Sequence, residues 1–332
     1  MKPLCLIGTA LRAILFALGA LVLSLFTQLS AAEEVVLRVG YFPNVTHAQG
    51  VIGAHSTREG QGWFEKRLGA GVKIEWYAYN AGPSAMEAIF SGAIDMTYVG
   101  PNPALNAYIR SKGREIRILS GSAQGGAALV LRKGVVVKSP ADFKGLRVAT
   151  PQLGNTQDVA ARAWVKKQGF ALTLTSGDVS VIPTANPDQF ALMQAGRLDA
   201  AWTVEPWVSR LELEAGAISY LEQKDAITTI LVSSTKALAK RAELVERFAK
   251  AHEELTAWIA ANPEEAREKV RLGLTAEVRR EISPVLVANA WKRLNFTTEL
   301  ARGQFDDLVK DAQSVGFLRD AIPLDQLFSR KP

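Results

Sequence analysis

Two short polar runs carry the chemistry this chain could do. One reads Tyr41-Phe42-Pro43-Asn44-Val45-Thr46-His47-Ala48-Gln49, the other Thr150-Pro151-Gln152-Leu153-Gly154-Asn155-Thr156-Gln157-Asp158. Each follows a short apolar run and leads into a helical pattern. Asn44, Thr46, His47 and Gln49 on one side, and Gly154, Asn155, Thr156 and Gln157 on the other, therefore fall at helix starts. Free backbone N–H groups and the positive end of the helix dipole attract anions there, and side-chain hydroxyls and amides add directed donors. Asn and Thr also cap helices by bonding their own backbone, which is the simpler reading of one such run taken alone. Two matched runs point instead to one anion held between opposed rims. His47 stays open between donating to an oxyanion and capping.

Other strand ends offer similar groups. In Asn80-Ala81-Gly82-Pro83-Ser84 a proline stands at a helix start, where its missing N–H costs nothing, and the backbone of Gly82 and Ser84 is exposed. Gly100 and Asn102 follow the next apolar run, and Trp202 and Glu205 lie in Trp202-Thr203-Val204-Glu205-Pro206-Trp207. Glu205 stays open between pairing with a ligand amine and capping the helix that begins at Pro206. Trp202 and Trp207 stay open between walling a pocket and filling a core.

What is missing narrows the chemistry. The three histidines, His47, His55 and His252, show no metal-ligand spacing, and the one cysteine, Cys5, lies in the leader described below. The glycine-rich stretch Gly121-Ser122-Ala123-Gln124-Gly125-Gly126 fits neither a phosphate loop nor a serine nucleophile elbow. No catalytic residue, metal or cofactor is expected.

The elements that must position these groups follow from the pattern of apolar runs. Residues 35–41, 72–79, 94–99 and 116–119 read as strands with helices between them, and the plan begins again with 146–149, 179–182, 198–204 and 218–221. Strand alternating with helix predicts α/β layers with parallel strands, in two sheets. An internal repeat supports the duplication: Met86, Ile89, Gly92, Ile94 and Asp95 match Phe190, Met193, Gly196, Leu198 and Asp199 at one fixed offset. Upstream, Leu37-Arg38-Val39 is echoed by Leu146-Arg147-Val148. Residues 125–131 and 228–233 are extended and apolar and read as crossings between two lobes. The predicted organisation is a discontinuous first lobe, 33–125 and 233–332, around a second lobe, 126–232. Residues 237–258 and 284–294 read as amphipathic helices that pack on the first lobe.

The start of the chain reads as a secretory leader. Lys2 and Arg12 precede an apolar run over 13–26, and Ser30-Ala31-Ala32 precedes Glu33, which predicts cleavage after Ala32 and removal of residues 1–32 together with Cys5. The apolar run is shorter than the ~20 residues a membrane span needs. The net charge of +6 would fall to +4 on loss of Lys2 and Arg12. Charges of both signs are interspersed, which argues for general attraction to anions and against a nucleic-acid groove.

The residues Val39-Gly40-Tyr41-Phe42-Pro43-Asn44, Gly62-Trp63-Phe64-Glu65, Ser91-Gly92-Ala93-Ile94-Asp95, Gly100-Pro101-Asn102-Pro103, Leu198-Asp199-Ala200 and Glu205-Pro206-Trp207, in that order, resemble the nitrate, sulfonate and taurine family of periplasmic binding proteins. The resemblance runs from about Val35 to the tail. It implies the type II periplasmic-binding fold, two α/β lobes closing on a small organic anion, and delivery by a monomeric carrier in the periplasm to an ABC permease and its ATPase. Aliphatic sulfonates, taurine and sulfate esters are the implied ligands. Nitrate, bicarbonate or a thiamin-pyrimidine precursor is the alternative, as is an exported enzyme or sensor domain using the same cleft. The enzymes of the wider fold carry a cysteine-rich motif that residues 33–332 lack.

Overall fold

β1 (Val35–Tyr41) is rich in Val and Leu, which suit a pleated, buried surface, and it pairs in parallel with β2 (Val72–Ala78) on one side and β3 (Met96–Val99) on the other. The computed structural model describes residues 34–320 and 322–331, so the expected leader of residues 1–32 and Cys5 lie outside the described residues. Beyond β3 the sheet continues with β10 (Ile227–Ser234), β4 (Ile116–Gly125) and β11 (Leu294–Phe296), each antiparallel to its neighbour. A second, five-stranded sheet has the order β7 (Ser180–Pro183), β6 (Arg147–Thr150), β8 (Ala200–Val204), β5 (Ala127–Leu131), β9 (Ile218–Gln223). There β6, β7 and β8 are parallel, and β5 runs antiparallel to both β8 and β9.

Both sheets are therefore mixed, where the alternation of strand and helix predicts parallel strands only. The cause is the way the chain passes between them. It leaves the first sheet at the end of β4, turns at Gly125-Gly126 and enters the second as β5; it returns after β9 and inserts β10 between β3 and β4. Residues 125–131 and 228–233, expected as crossings, are thus mostly strands within a sheet, and the changes of sheet are confined to Gly125-Gly126 and to Lys224-Asp225-Ala226. The two crossings are fastened to each other by the Gly125 N–H, which donates to the Ala226 carbonyl (2.9 Å). The first sheet draws its strands from residues 35–125 and 227–296, the second from 127–223. We call each sheet with its packed helices a lobe.

The repeat seen in the sequence is one structural device used twice. Asp95 takes the Arg38 N–H (2.9 Å), and Asp199 takes the Arg147 N–H (3.0 Å), tying β3 to β1 in one lobe and β8 to β6 in the other. Arg38 and Arg147 then reach the carbonyls of Gly92 (3.4 Å) and Gly196 (2.8 Å), where the preceding helix stops. Both glycines are left-handed, with φ 74° and 66°, a backbone that a side chain would strain. Helices α1 (Ala48–Arg58), α3 (Gly82–Ser91), α4 (Pro101–Arg110) and α8 (Thr235–Ala261) cover the first sheet, with α2 (Glu65–Leu68) packed beside α8. α5 (Thr156–Lys167), α6 (Asn186–Gln194) and α7 (Trp207–Ala215) cover the second. The tail adds α9 (Pro263–Val278), α10 (Pro284–Trp291) and α11 (Arg302–Ser314). α9 packs on α1, while α10 meets α7 and α11 meets α5, so the last two also touch the second lobe.

Candidate functional site

The carboxyl ends of β1, β2 and β3 face those of β6, β7 and β8 across a small cavity. Its lining includes Phe42, Asn44, Thr46, His47, Asn80, Gly82 and Gly100 from the first lobe, and Pro151, Asn155, Thr156, Gln157 and Asn186 from the second. Thr228, from β10, completes one side. Among the described residues no lysine, arginine, aspartate or glutamate lines this cavity.

Four of the polar side chains here have an acceptor atom already taken. The Asn44 Oδ1 accepts the Trp207 indole N–H (3.0 Å), the Gln157 Oε1 accepts the Asn155 amide (3.2 Å), and the Asn186 Oδ1 accepts the Thr203 hydroxyl (3.1 Å). Each carboxamide is thereby oriented with its NH2 group free to donate. His47 follows the same rule: its Nδ1 accepts the Phe42 N–H (3.3 Å), which places the ring proton on Nε2. Its ring stacks on Phe42 (4.3 Å between centroids), and burial pushes its pKa down to about 3, so it is a neutral donor. Asn44, His47, Gln157 and Asn186 therefore present hydrogen-bond donors without formal charge.

The rims are held by their own lobes. Asn155 caps α5, its Oδ1 accepting the Asp158 N–H (2.9 Å) while its amide orients Gln157. Asp158, wholly buried, accepts the Thr150 hydroxyl (2.7 Å) and the Gly154 N–H (2.9 Å) and pairs with buried Arg162 (3.0 Å), which fixes the shape of the 151–155 turn. Asn44 does not cap; the backbone there is extended and the side chain faces Trp207. The lobes meet closely at Gly100, where a Cβ would lie 2.4 Å from the Thr156 Oγ1. Only a hydrogen fits there. The Asn102 N–H reaches that same oxygen (3.4 Å).

Of the residues expected from sequence, Asn44, Thr46, His47, Gly82, Gly100, Asn155, Thr156 and Gln157 come together in this lining. Asn102 is buried as the second residue of α4 beside Thr156, lining a neighbouring recess, and its amide has no partner. The remainder lie elsewhere. Gln49 points into the first lobe, donating to the Ser122 carbonyl (2.9 Å) and accepting the Ser122 hydroxyl (2.7 Å), because it stands about half a helical turn beyond His47 and so faces away from the rim. Pro83 opens α3 at its outer surface and the Ser84 hydroxyl bonds the Ala81 carbonyl (2.9 Å). Gly154 supplies its N–H to Asp158 and does not reach the cavity. Trp202 sits in the second core with its indole on Gln223 (2.8 Å).

Glu205 neither meets the cavity nor simply caps α7. It accepts the Ser209 N–H and hydroxyl (3.0 and 2.9 Å) and pairs with Arg293 of the tail (3.1 Å), which also binds Glu212 and Glu222. Burial pushes the Glu205 carboxyl up to about 7, with Ser209 and Arg293 acting in the other direction.

Sequence reasoning did not name Asn80 or Asn186 as site residues; each follows the middle one, in chain order, of its lobe's three parallel strands, β2 and β7. That equivalent placement in a duplicated frame was the available signal. Trp207 was singled out as a possible pocket wall, but nothing in the sequence signalled its bond to Asn44, 163 residues away.

Two facing α/β lobes, joined by two adjoining crossings and enclosing a polar cavity at their strand ends, define the class of periplasmic binding proteins. The family model of the NMT1-like family matches residues 30–274, and the chain belongs to that family. It is 25% identical over 199 residues to the taurine-binding periplasmic protein of Escherichia coli (strain K12), covering 59% of this chain and 60% of that protein. The chain thus spans about 60% of that relative's length. The alkanesulfonate-binding protein SsuA of Xanthomonas axonopodis pv. citri, bound to MOPS, superposes with a TM-score of 0.66 at 21% identity, over 86% of this chain and 92% of that one. The periplasmic aliphatic sulphonate binding protein SsuA of Escherichia coli gives 0.63 at 20% identity, over 85% and 94%.

Proposed function

We propose that this chain is the periplasmic solute-binding component of an ABC importer, that it binds the oxyanion head of an organic sulfur acid between its lobes, and that it passes the ligand to a permease and its ATPase. The observation that carries this reading is the uncharged cavity, in whose lining four side chains have an acceptor end occupied and a donor free. A sulfonate or sulfate ester spreads one negative charge over three acceptor oxygens and offers no donor. Asn44, His47, Gln157 and Asn186, each with its acceptor end occupied, supply what such a head needs. Hydrogen bonds from neutral groups compensate the loss of water without the fixed geometry of a single cation. The family membership and the names of the taurine- and sulfonate-binding relatives support the same class of ligand. Thr46, Asn80 and Thr156 would add polar contacts, while Gly82, Gly100 and Asn155 shape the walls.

A thermal-shift screen of the purified protein tests the proposal. A ligand present at 100 times its dissociation constant adds about 2.7 kcal/mol to stability. Alkanesulfonates or sulfate esters should raise Tm by several degrees, and nitrate and bicarbonate should not. A shift with nitrate alone, or with no anion, would overturn the reading.

A further inference from the structure

Gln157 and Asn186, two of the donors that the second lobe brings to the cavity, stand on different elements, the start of α5 and the start of α6. Further along α5 lies Arg162, which is only 1% exposed and does not line the cavity. All three of its guanidinium nitrogens are used. Nε donates to the Asp158 carboxylate (3.0 Å), Nη2 to the Val181 carbonyl of β7 (3.1 Å), and Nη1 to the Thr173 and Leu174 carbonyls (3.1 and 3.4 Å). The first of these bonds leads to Gln157, because the Asp158 that holds the 151–155 turn also gives its N–H to Asn155, whose amide orients Gln157. The second leads to Asn186, the residue that opens α6 after β7. The third grips residues 171–178, a largely exposed turn closed by the Asp178 N–H on the Ala171 carbonyl (2.8 Å).

A buried ion pair is a poor source of stability, since well-packed apolar side chains in its place are often neutral or stabilising. What an apolar side chain could not supply here is a fixed relation between three segments, which a rigid planar fork does supply. We infer that Arg162 is a positioning residue for the anion site: it sets the separation of the Gln157 and Asn186 donors through Asp158 and β7, and through it the exposed 171–178 turn controls affinity although none of those residues lines the cavity. The inference rests on the oxyanion reading of the cavity. Hydrogen bonds weaken steeply outside a narrow range of distance and angle, so a rim displaced by about an ångström loses affinity while the lobe keeps its fold.

Calorimetric titration with methanesulfonate and butanesulfonate, with Tm measured alongside, tests this. Arg162→Lys keeps a cation beside Asp158 but replaces the fork by a single nitrogen, so it should fold and bind both ligands roughly tenfold more weakly. Gly177→Ala would set a Cβ 2.5 Å from the Ala171 carbonyl oxygen and so displace the turn. That variant should bind roughly threefold more weakly. Val165→Ala, which opens a space in the core of the same lobe from the same helix, is the control: its Tm should fall and its affinity stay within about twofold. Unchanged affinity in Arg162→Lys or in Gly177→Ala would overturn the inference. So would a loss in Val165→Ala as large as that in Arg162→Lys, which would report general loosening of the lobe. Each of these results leaves the oxyanion reading standing, whereas failure of the unaltered protein to bind any sulfonate would overturn both.

Discussion

At the scale of single residues, binding turns on which atoms are already occupied. His47 has one free polar atom, a donor, because the Phe42 N–H holds the other nitrogen. Replacing it by Phe keeps a ring against Phe42 and removes the donor. His47→Phe should therefore weaken sulfonate binding by roughly 10- to 100-fold, the value of a hydrogen bond to a charged group, as read by calorimetry. Because no titrating charge lines the cavity and His47 stays neutral down to about 3, the dissociation constant should be flat between about pH 5 and pH 8. A loss of affinity above pH 6 would mean that a protonated imidazole binds the ligand. Asn155→Ala removes both a cap and the group that orients Gln157; a stability loss of about 1 kcal/mol should accompany weaker binding.

At the scale of elements, the sheets and the two rims were readable because local signals set them. Apolar runs of strand length, glycine stops such as Gly92 and Gly196, and the acids Asp95 and Asp199 act over a few residues, and each repeats in the second lobe. The antiparallel strands were not readable as such, since the pairing of β10 with β3 and β4 joins segments more than 100 residues apart. The same limit explains the site residues that fell elsewhere. Nothing near Gln49 announces Ser122, and nothing near Glu205 announces Arg293. The contact between the rims is itself an element-scale property. Gly100→Ala would place a methyl against Thr156, so the variant should keep its fold and secondary structure by circular dichroism yet bind sulfonates at least tenfold more weakly.

For the whole molecule, the crossings and the tail are tied into one block. Arg293, just before β11, binds Glu205, Glu212 and Glu222 of the second lobe, and its carbonyl accepts the Gly126 N–H (2.8 Å). Arg293→Ala leaves Glu205 buried without its cation, a change that typically costs 3–5 kcal/mol. The pH dependence has a definite sign. A carboxyl raised to about 7 in the folded chain binds its proton more tightly there than when unfolded, so its contribution is most favourable below about pH 4.5 and is lost as pH rises toward 7. Loss of Arg293 extends that window upward, and the variant should be more destabilised at pH 8 than at pH 6 in denaturant titrations. On the acid side, His47 and His252, lowered to about 3 and about 4, are neutral when folded and take up protons when unfolded. Below about pH 6.5 they favour the unfolded chain increasingly, against the gain from Glu205.

A crystal structure of the protein with butanesulfonate reads the arrangement of donors around the head directly. The three sulfonate oxygens should lie at hydrogen-bond distance, about 2.7–3.1 Å, from the His47 Nε2 and the side-chain nitrogens of Asn44, Gln157 and Asn186, with no lysine or arginine in contact. A sulfonate bound outside this cavity, or held there by an arginine or lysine side chain, would contradict it.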